Sequence, residues 1–447
     1  MGSLVQLDRN QDGELCNPGS QVSTVRPMPP NADDIPLDQI DLSDMGFWAG
    51  PRAVREATFQ KLRDTPELQH FAERVIEDSP FPPGDGYYAL TRHEDIWAVS
   101  RNAKLFCSGQ GSNIGDLPQE LNEFFGSMIN MDDPKHYRLR SIVSKGFAPK
   151  EVAKVEAMVV DKAKLIVERI QEQFTDKTCD FVEHVAAALP LEIICDMMGI
   201  PPEDYGQIFA WTNTILGIGD PDFVTSYDDL MTHSIEMFTY AQTLGESRRS
   251  DPQDDITSAM MTAVVDGEEL TPQEFGSFFI LLVVAGNETT RNAISHGMKA
   301  LTDFPKQREL LYGDFDTHAK TGMEEMVRWS TPVIHFRRTA TEDTEINGFP
   351  LKAGDKVVMF YNSGNRDERV FDKPHRFDVG RSMQPAQVGF GAGGSHFCLG
   401  ANLARREMTM MFDEIHRSLP SLHITGEPAY LQSNFINGIK RLDCAWS

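Results

Sequence analysis

The sequence predicts a single domain that is mainly α-helical with small β-sheets, an α+β architecture. Thr271-Pro272-Gln273-Glu274 forms a capping box with proline at the first helical position, and the apolar helix that it begins is predicted to run to about Leu301. Helical patterns cover most of the chain, whereas strand patterns are short. No polar linker, low-complexity stretch or internal repeat divides the 447 residues, and one large core can reach this size.

The other elements are predicted from turn residues and helix breakers. Residues 1–35 are rich in Pro, Gly, Asn and Asp and are predicted to lie over the surface or stay mobile, so the domain is predicted to span 36–447. The elements predicted within it are a strand at 86–91, helices at 151–173 and 189–198, breaks between helices at 201–202 and 217–221, and a hairpin turn at Asn347-Gly348.

Composition restricts the compartment and the partners. A net charge of −25 argues against nucleic acid as the main partner. The first 20 residues lack the basic start and apolar stretch of a signal peptide, and the longest apolar run, 278–285, is too short for a bilayer. We therefore expect a monomeric cytoplasmic protein without a membrane anchor. The cysteines have neither CxxC nor metal-site spacing, as in a reducing compartment: Cys16, Cys107, Cys179, Cys195, Cys398 and Cys444.

A glycine-rich loop, 390–400, contains Cys398 and is followed at once by a helix-forming run, 401–419. Backbone N–H groups and the positive end of a helix favour the thiolate over the thiol. The glycines allow the backbone to approach a large flat group. A thiolate against a planar cofactor is the arrangement that haem iron needs for an axial cysteine ligand. The alternative is a glycine-rich turn that carries a structural cysteine.

Three further segments accompany this loop: Ala-Gly-Asn-Glu-Thr-Thr at 285–290, Glu325-Met-Val-Arg328, and Asp-Pro-Lys-His-Tyr-Arg-Leu-Arg at 133–140. Together the four segments resemble the signature positions of the cytochrome P450 family, and the resemblance covers the chain from about residue 48 to its end. It implies the fold of that family, a haem b cofactor, and Cys398 as the axial ligand of the iron.

The resemblance also implies how the cofactor is held. His136 and Arg140 lie four residues apart, on one helix face. With His396 and Arg338, they are expected to bind the two haem propionates. A solvated basic helix face, a loop histidine in water, and Arg337 in place of Arg338 are the alternatives, the last because neighbouring strand residues face opposite sides. Further expected contacts with the cofactor come from Ala285, Gly286, Phe390 and Gly400.

Glu325 and Arg328 share a helix face at i and i+3. The resemblance adds Arg376 from a later loop, which predicts a structural triad near the cysteine loop, because a buried carboxylate requires paired donors. A surface ion pair is the alternative.

The polar residues at 287–290 interrupt an apolar helix interior, where they cost stability unless they are paired or used. Thr289 is able to bond back to helix carbonyls or open them to water, which leaves a groove for oxygen. Glu288 is then placed to deliver protons through water. We expect these two residues to be catalytic; the alternative is a polar stripe that faces solvent.

Phe390 stands eight residues before Cys398, one more than in most members of the family. This longer loop, with 125–129, 211–217 and 285–294, resembles mycobacterial enzymes that hydroxylate terminal methyl groups of methyl-branched lipids and sterol side chains. The implied substrate is a methyl-branched lipid, isoprenoid or sterol side chain. Candidate pocket residues, each equally an ordinary core position, are Ile114, Phe124, Met128, Leu216, Ile218, Val333, Ile334, Phe435 and Ile436.

The chain has no flavin or ferredoxin module, so electrons are expected from NAD(P)H through a ferredoxin reductase and a ferredoxin. Alternative functions are hydroxylation of another hydrophobic metabolite, a peroxide-using haem-thiolate enzyme, which does not need Glu288 and Thr289, and a gas sensor, which leaves the polar break unexplained. A candidate ferredoxin-docking cluster, equally a solvated helix face, comprises Arg138, Arg140, Lys145, Lys150, Lys154, Arg405 and Arg406.

Overall fold

The structure is a computed structural model that describes residues 31–75, 81–144, 146–147, 149–224, 226–265 and 267–447. Most of the predicted N-terminal surface segment, including Cys16, lies outside these residues. Its described end forms a 3₁₀ helix, Ala32–Asp34, in which Ala32 is buried.

Helices dominate the described part of the chain, as predicted. They are α1 (Met45–Ala49), α2 (Arg52–Asp64), α3 (His93–Arg101), α4 (Gln119–Gly126), α5 (Lys135–Ser144), α6 (Pro149–Gln173), α7 (Ala188–Met198), α8 (Tyr205–Leu216), α9 (Tyr227–Ser250), α10 (Ile256–Met261), α11 (Pro272–Asp303), α12 (Pro305–Gly313), α13 (Phe315–Ser330), α14 (Tyr361–Gly364) and α15 (Ala401–Ser418). Short 3₁₀ helices span Leu37–Gln39, Ser127–Asn130 and Pro202–Asp204, and Val182–Ala186 is a π-helix.

The strands are β1 (Gln69–Phe71), β2 (Tyr87–Leu90), β3 (Phe106–Cys107), β4 (Thr178–Asp180), β5 (Val264–Val265), β6 (Glu268–Glu269), β7 (His335–Ala340), β8 (Thr344–Ile346), β9 (Phe349–Leu351), β10 (Lys356–Phe360), β11 (His423–Ile424), β12 (Ala429–Tyr430), β13 (Ile439–Arg441) and β14 (Asp443–Ala445). The largest sheet has the order β1-β2-β10-β7-β3, in which only β2 and β10 run parallel. A second sheet has the order β11-β14-β4, and three two-stranded hairpins complete the described strands.

Helix α11 is the centre of the molecule. Thr271 caps it with the predicted capping box, and Pro272 occupies its first turn. It is 32 residues long because its apolar residues are buried almost all round, against α7, α9, α13 and α4 among other elements. The apolar side chains of α11 belong to the main core cluster, which also includes residues from α6, α7 and α15.

The predicted helices and the predicted strand are confirmed with shifts of at most two residues at their ends. The break after α8 follows Gly217, and Gly219 has φ +96°. Asn347 and Gly348 both have positive φ and join β8 to β9, as a tight hairpin requires. Within the described residues, no helix combines the length and the apolar character that crossing a bilayer requires.

Candidate active site

The cysteine loop is shaped by its glycines and packs against α3. Gly393 and Gly394 have φ +77° and +80°, and a Cβ on Gly394 would lie 2.3 Å from the carbonyl oxygen of Ser100. The amide of Cys398 donates to the carbonyl of Phe390 at 2.9 Å, which closes the loop just before α15 begins. The glycines are therefore needed for turns and for close packing on α3.

The sulfur of Cys398 lies at the mouth of α15, where the amides of Gly400 and Ala401 donate to it. Burial raises the pKa of the thiol, and these amides together with Arg140 and Arg405 lower it, with a net increase. The side chain is nevertheless exposed. An exposed side chain and a pKa raised by burial occur together when a thiol faces a cleft that the protein encloses. The helix end acts in the predicted direction, although burial outweighs it.

Four basic side chains gather beside this loop. The rings of His136 and His396 lie 4.3 Å apart, and Arg140 donates to the carbonyl of Phe397 at 2.6 Å. Burial, and after it the charges of Arg338, His136 and Arg140, lowers the pKa of His396 to about 2. The four side chains come from α5, β7 and the cysteine loop, so the fold assembles the predicted set at one place.

In this basic cluster (His136, Arg140, Arg338 and His396), the two guanidinium groups have no carboxylate partner among the described residues. Arg338 is 3% exposed and its guanidinium donates to the carbonyl of Arg337, while Nε2 of His136 is buried without a partner. No carboxylate of the described residues forms an ion pair with Arg140, Arg338 or His396; His136 contacts Asp133 through Nδ1 at 3.1 Å. Buried cations require anions, so the residues fit a group that brings carboxylates of its own, as haem does.

Arg337 and Arg338 face opposite sides of β7, as their neighbouring positions require. Arg337 pairs with Asp116 at 2.8 Å and bonds carbonyls of the segment before α4, whereas Arg338 faces the basic cluster. This placement favours Arg338, the first choice from the sequence, over the alternative Arg337.

One face of α11 opens onto a cleft. Between residues 275 and 301, the positions of α11 that are not buried are Ala285, Gly286, Thr289 and Lys299. Thr289 donates its hydroxyl to the carbonyl of Ala285 at 2.9 Å, one of the two arrangements expected for it. A solvent-facing stripe is excluded for 287, 288 and 290, which are buried.

Gly286 lies against α7. A Cβ at this position would lie 2.9 Å from the side chain of Ile194 in α7. The missing side chain therefore permits α11 and α7 to pack closely, and the expected contact of Gly286 with a cofactor stays a prediction.

Glu288 lies inside a polar network. Its carboxylate pairs with Arg291 and accepts a bond from Asn292 at 3.1 Å, but Oε2 is buried without a partner. Arg291 also donates to Asn213 of α8 at 2.8 Å. The network thus links α11 to α8, and one carboxylate oxygen of Glu288 is left for water.

The predicted triad is present in part, with a different third member. Arg328 donates to both oxygens of Glu325, at 2.7 and 2.8 Å, and both residues are buried. The second guanidinium on Glu325 belongs to Arg381, at 2.9 Å, not to Arg376. The side chain of Arg376 is exposed, and its carbonyl accepts bonds from Arg328 and Arg381. The prediction of Arg376 as an ion-pair partner was therefore wrong: its backbone takes part, and its charge does not.

The sequence interpretation missed Glu407, on α15. It is 2% exposed, bonds Thr290 of α11, and burial raises the pKa of its carboxyl to about 8. A signal existed in the sequence, because a glutamate between apolar positions of an amphipathic helix faces the core.

The pocket candidates form two groups. Ile334 donates its amide to the carbonyl of Phe435 at 2.7 Å, Val333 bridges to Ile436, and Ile114 shares a core cluster with Ile334. The others lie on the main core cluster or at the α8–α9 break: Phe124 half-buried, Met128 buried, Leu216 half-buried and Ile218 47% exposed.

The candidate docking cluster carries less free charge than the sequence suggested. Arg138 pairs with Glu274, Arg405 with Glu324, and Arg406 with Glu156 at 3.1 Å. Arg140 faces the basic cluster described above. Lys145 lies outside the described residues, as do the side chains of Lys150 and Lys154.

Comparison with known proteins agrees with this geometry. A family model of cytochrome P450 matches residues 222–418. The chain is 49% identical to a methyl-branched lipid omega-hydroxylase of Mycobacterium tuberculosis over 414 residues, which cover 93% of this chain and 96% of that protein. It is 42% identical to a steroid C26-monooxygenase of Rhodococcus jostii, over 83% of this chain and 80% of that protein.

Solved structures give the same result for the fold. A Mycobacterium marinum cytochrome P450 in complex with pseudoionone superposes with a TM-score of 0.86 at 42% identity, over 92% of this chain and 99% of that one. Members of this family carry a haem iron with a cysteine thiolate ligand. The sequence of this chain, its fold and the arrangement of residues around Cys398 agree with one another. The chain belongs to the cytochrome P450 family.

Proposed function

We propose that this monooxygenase inserts one oxygen atom of O₂ into the terminal methyl group of a methyl-branched lipid, isoprenoid or sterol side chain. The observation that carries the proposal is the 49% identity, across 93% of the chain, to a relative named methyl-branched lipid omega-hydroxylase. The similarity to steroid C26-monooxygenases supports the same preference for a chain terminus.

The cofactor in this proposal is haem b. Cys398 would ligate the iron, and the basic cluster would bind the propionates, since Arg140 and Arg338 have no carboxylate partner among the described residues. When bound, a haem with a thiolate ligand supplies the oxygen activation that C–H hydroxylation requires.

In this proposal, Thr289 and Glu288 deliver protons to the cleft through water. The hydroxyl of Thr289 lies on the open face of α11 and bonds a helix carbonyl, so it is able to exchange that bond for one to water. Glu288 is held by Arg291 with one oxygen unpaired. Water that reaches this oxygen connects a proton source to the cleft, in the manner of a general acid.

Terminal attack needs positioning, because methyl C–H bonds at a chain end are stronger than the neighbouring methylene or tertiary C–H bonds. A narrow apolar channel that admits only the chain tip reverses the intrinsic preference. Val333, Ile334 and Phe435 lie together, with Ile114 in the same apolar cluster as Ile334, and in this proposal they form the wall of the channel.

Electrons come from NAD(P)H through a ferredoxin reductase and a ferredoxin. Because Arg138, Arg405 and Arg406 are paired within the protein, the docking face depends more on Lys145, Lys150 and Lys154 than the sequence suggested. Charge reversal at Lys145 is expected to slow reduction by ferredoxin more than reversal at Arg406, most strongly at low salt. Equal, salt-independent reduction rates in the two variants would contradict this face.

The test is product mapping by mass spectrometry. Purified holoenzyme receives a surrogate ferredoxin, its reductase and NADPH, with a methyl-branched fatty acid or a linear acid of equal length. We expect terminal alcohols and preference for the branched acid. Mainly internal alcohols, or equal turnover of both acids, would contradict the substrate proposal. Product formed only with added peroxide would favour the peroxide-using alternative, and spectral binding without product would favour a sensor.

A further inference from the structure

Arg337 organises the segment between β3 and α4, residues 108–118, which has no helix or strand of its own. Its amide donates to the carbonyl of Ser112 at 2.7 Å. Its guanidinium is buried and bonds the carbonyls of Gln110 and Ile114, the latter at 3.1 Å, and the carboxylate of Asp116 at 2.8 Å. Arg337 thus bonds several positions in the middle of the segment, where Ser112 also donates its hydroxyl to Asn130 and Asp116 also pairs with Lys356.

The ends of the segment are fixed independently. The carboxylate of Asp132 accepts from the amides of Ser108 and Gly109, both at 2.8 Å. Asn122 donates to the carbonyl of Leu117 at 3.0 Å. Loss of the Arg337 guanidinium therefore frees the carbonyls of Gln110 and Ile114. The two ends of the segment, the backbone bond to Ser112 and the bond from Ser112 to Asn130 stay in place.

The position of Arg337 relates this segment to the cofactor side. Arg338 follows it on β7 and faces the basic cluster from the other side of the strand. Ile114, whose carbonyl Arg337 binds, packs in the same cluster as Ile334, which bonds Phe435 at 2.7 Å. Strand β7 therefore carries both Arg337, which bonds Ile114, and Arg338, which belongs to the basic cluster. The position of Ile114 relative to the basic cluster depends on this strand.

We propose that Arg337 is a positioning residue for regioselectivity: it holds segment 108–118, and Ile114 with it, at a fixed place in the substrate channel. This inference rests on the proposed terminal hydroxylation. The planar guanidinium bonds several acceptors at once, which an ammonium group is unable to reproduce. A displacement of about 1 Å in a channel wall is enough to lose the near-attack geometry of one carbon in favour of the next.

The test compares Arg337→Lys, which keeps the charge without the fork, and Arg337→Met, which removes both. Lys356→Met is the matched control, because Lys356 is the other cation on Asp116 and also pairs with Glu73 of the same sheet region. Each holoenzyme is given one methyl-branched fatty acid, and the ratio of terminal to internal alcohol is measured. Haem content and the carbon monoxide spectrum of the reduced protein are recorded for each.

We expect the ratio to fall about fivefold or more in Arg337→Lys, and further in Arg337→Met, with haem content unchanged. Lys356→Met is expected to stay within about twofold of the wild type. If Arg337→Met does not fold, Arg337→Lys decides. An unchanged ratio in a haem-loaded Arg337 variant would overturn the inference, and so would an equal shift in Lys356→Met.

Failure of the proposed function gives a different result. If the wild type forms mainly internal alcohols, the terminal assignment is wrong. The positioning role is then judged by whether the Arg337 variants change the distribution among those alcohols: a redistribution supports the role, and an identical distribution overturns it.

Discussion

Two buried charge clusters differ in whether they contain an acid of their own. Around Glu325, Arg328 and Arg381 donate to both carboxylate oxygens, and the amide of Asp378 adds a third donor at 2.9 Å. Beside the cysteine loop, Arg338 is buried and Arg140 is half-buried, and no carboxylate in the described part of the chain is paired with either guanidinium.

The cluster around Glu325 serves the stability of the fold, whereas the basic cluster is suited to bind a ligand. In the cluster around Glu325, the carboxylate and the guanidinium groups pair with one another and hold segments of the chain together, so no ligand is needed there. In the basic cluster, the burial of a guanidinium group without a carboxylate costs free energy, and a ligand that carries carboxylates removes this cost. Glu288, which pairs with Arg291 but has one oxygen without a partner, is a smaller example on the same side of the comparison. Buried polar atoms without a partner, Nε2 of His136 and Oε2 of Glu288, are the feature that these two places share.

The largest effect is expected from breaking the complete cluster. Glu325→Gln removes the charge partner of two arginines at once, of which Arg328 is fully buried. We expect the free energy of unfolding to fall by about 3–5 kcal/mol, measured by urea denaturation of the holoenzyme. A stability within about 0.5 kcal/mol of the wild type would contradict the structural role.

The corrected third member is tested by a matched pair. Arg381→Met is expected to lower the free energy of unfolding by about 2 kcal/mol, because Glu325 keeps Arg328 but loses a charged donor. Arg376→Met should lie within about 0.5 kcal/mol of the wild type, since its exposed side chain is not the part that accepts bonds. The reverse order of the two variants would restore the original assignment.

Glu407 predicts a dependence of stability on pH. Its pKa is about 8 in the folded protein and 4.5 for an ordinary glutamate, so between these pH values the folded state holds a proton that the unfolded chain has released. The free energy of unfolding therefore falls as pH rises through this window, by about 1.4 kcal/mol per pH unit for one proton. Glu407→Gln should flatten that slope in denaturation curves at several pH values; an unchanged slope counts against a proton on Glu407.

The smallest expected change concerns coupling. Thr289→Ala removes only a hydroxyl that bonds its own helix, so stability and substrate binding should be retained. Product formed per NAD(P)H should fall roughly fivefold, with peroxide or water formed instead, and Thr289→Ser should restore it. The same yield of product per NAD(P)H in all three proteins would exclude a role for the hydroxyl.

Local features were predictable from the sequence, and pairings across the chain were less so. The capping box at Thr271, the Asn347-Gly348 turn and the loop before α15 depend on neighbouring residues, and each was predicted correctly. The family resemblance also located the basic cluster. The contact between Gly286 and Ile194 was not predicted, because Ile194 comes from another helix and nothing in the local sequence indicates which helix packs there.

The triad and Glu407 show the same limit. Arg376 and Arg381 are five residues apart in one loop, and only the folded path of that loop decides which guanidinium reaches Glu325. Glu407 sits in an amphipathic helix, where its burial follows from packing on α11 rather than from composition. Which side chains pair between distant segments depends on the tertiary fold. The sequence therefore reduced the number of candidate partners but did not identify the partner that binds.

We infer that Arg140 and Arg338 of the basic cluster have no carboxylate partner among the described residues because the cofactor brings the carboxylates. The direct measurement is a thermodynamic cycle with apo-protein, titrated with haem and with haem dimethyl ester, in the wild type and in Arg338→Met. We predict that esterification weakens binding to the wild type by about tenfold or more, and that Arg338→Met weakens binding of haem but not of the ester. An equal loss of affinity for both ligands in Arg338→Met would contradict the claim, because Arg338 would then act on the fold rather than on the carboxylates.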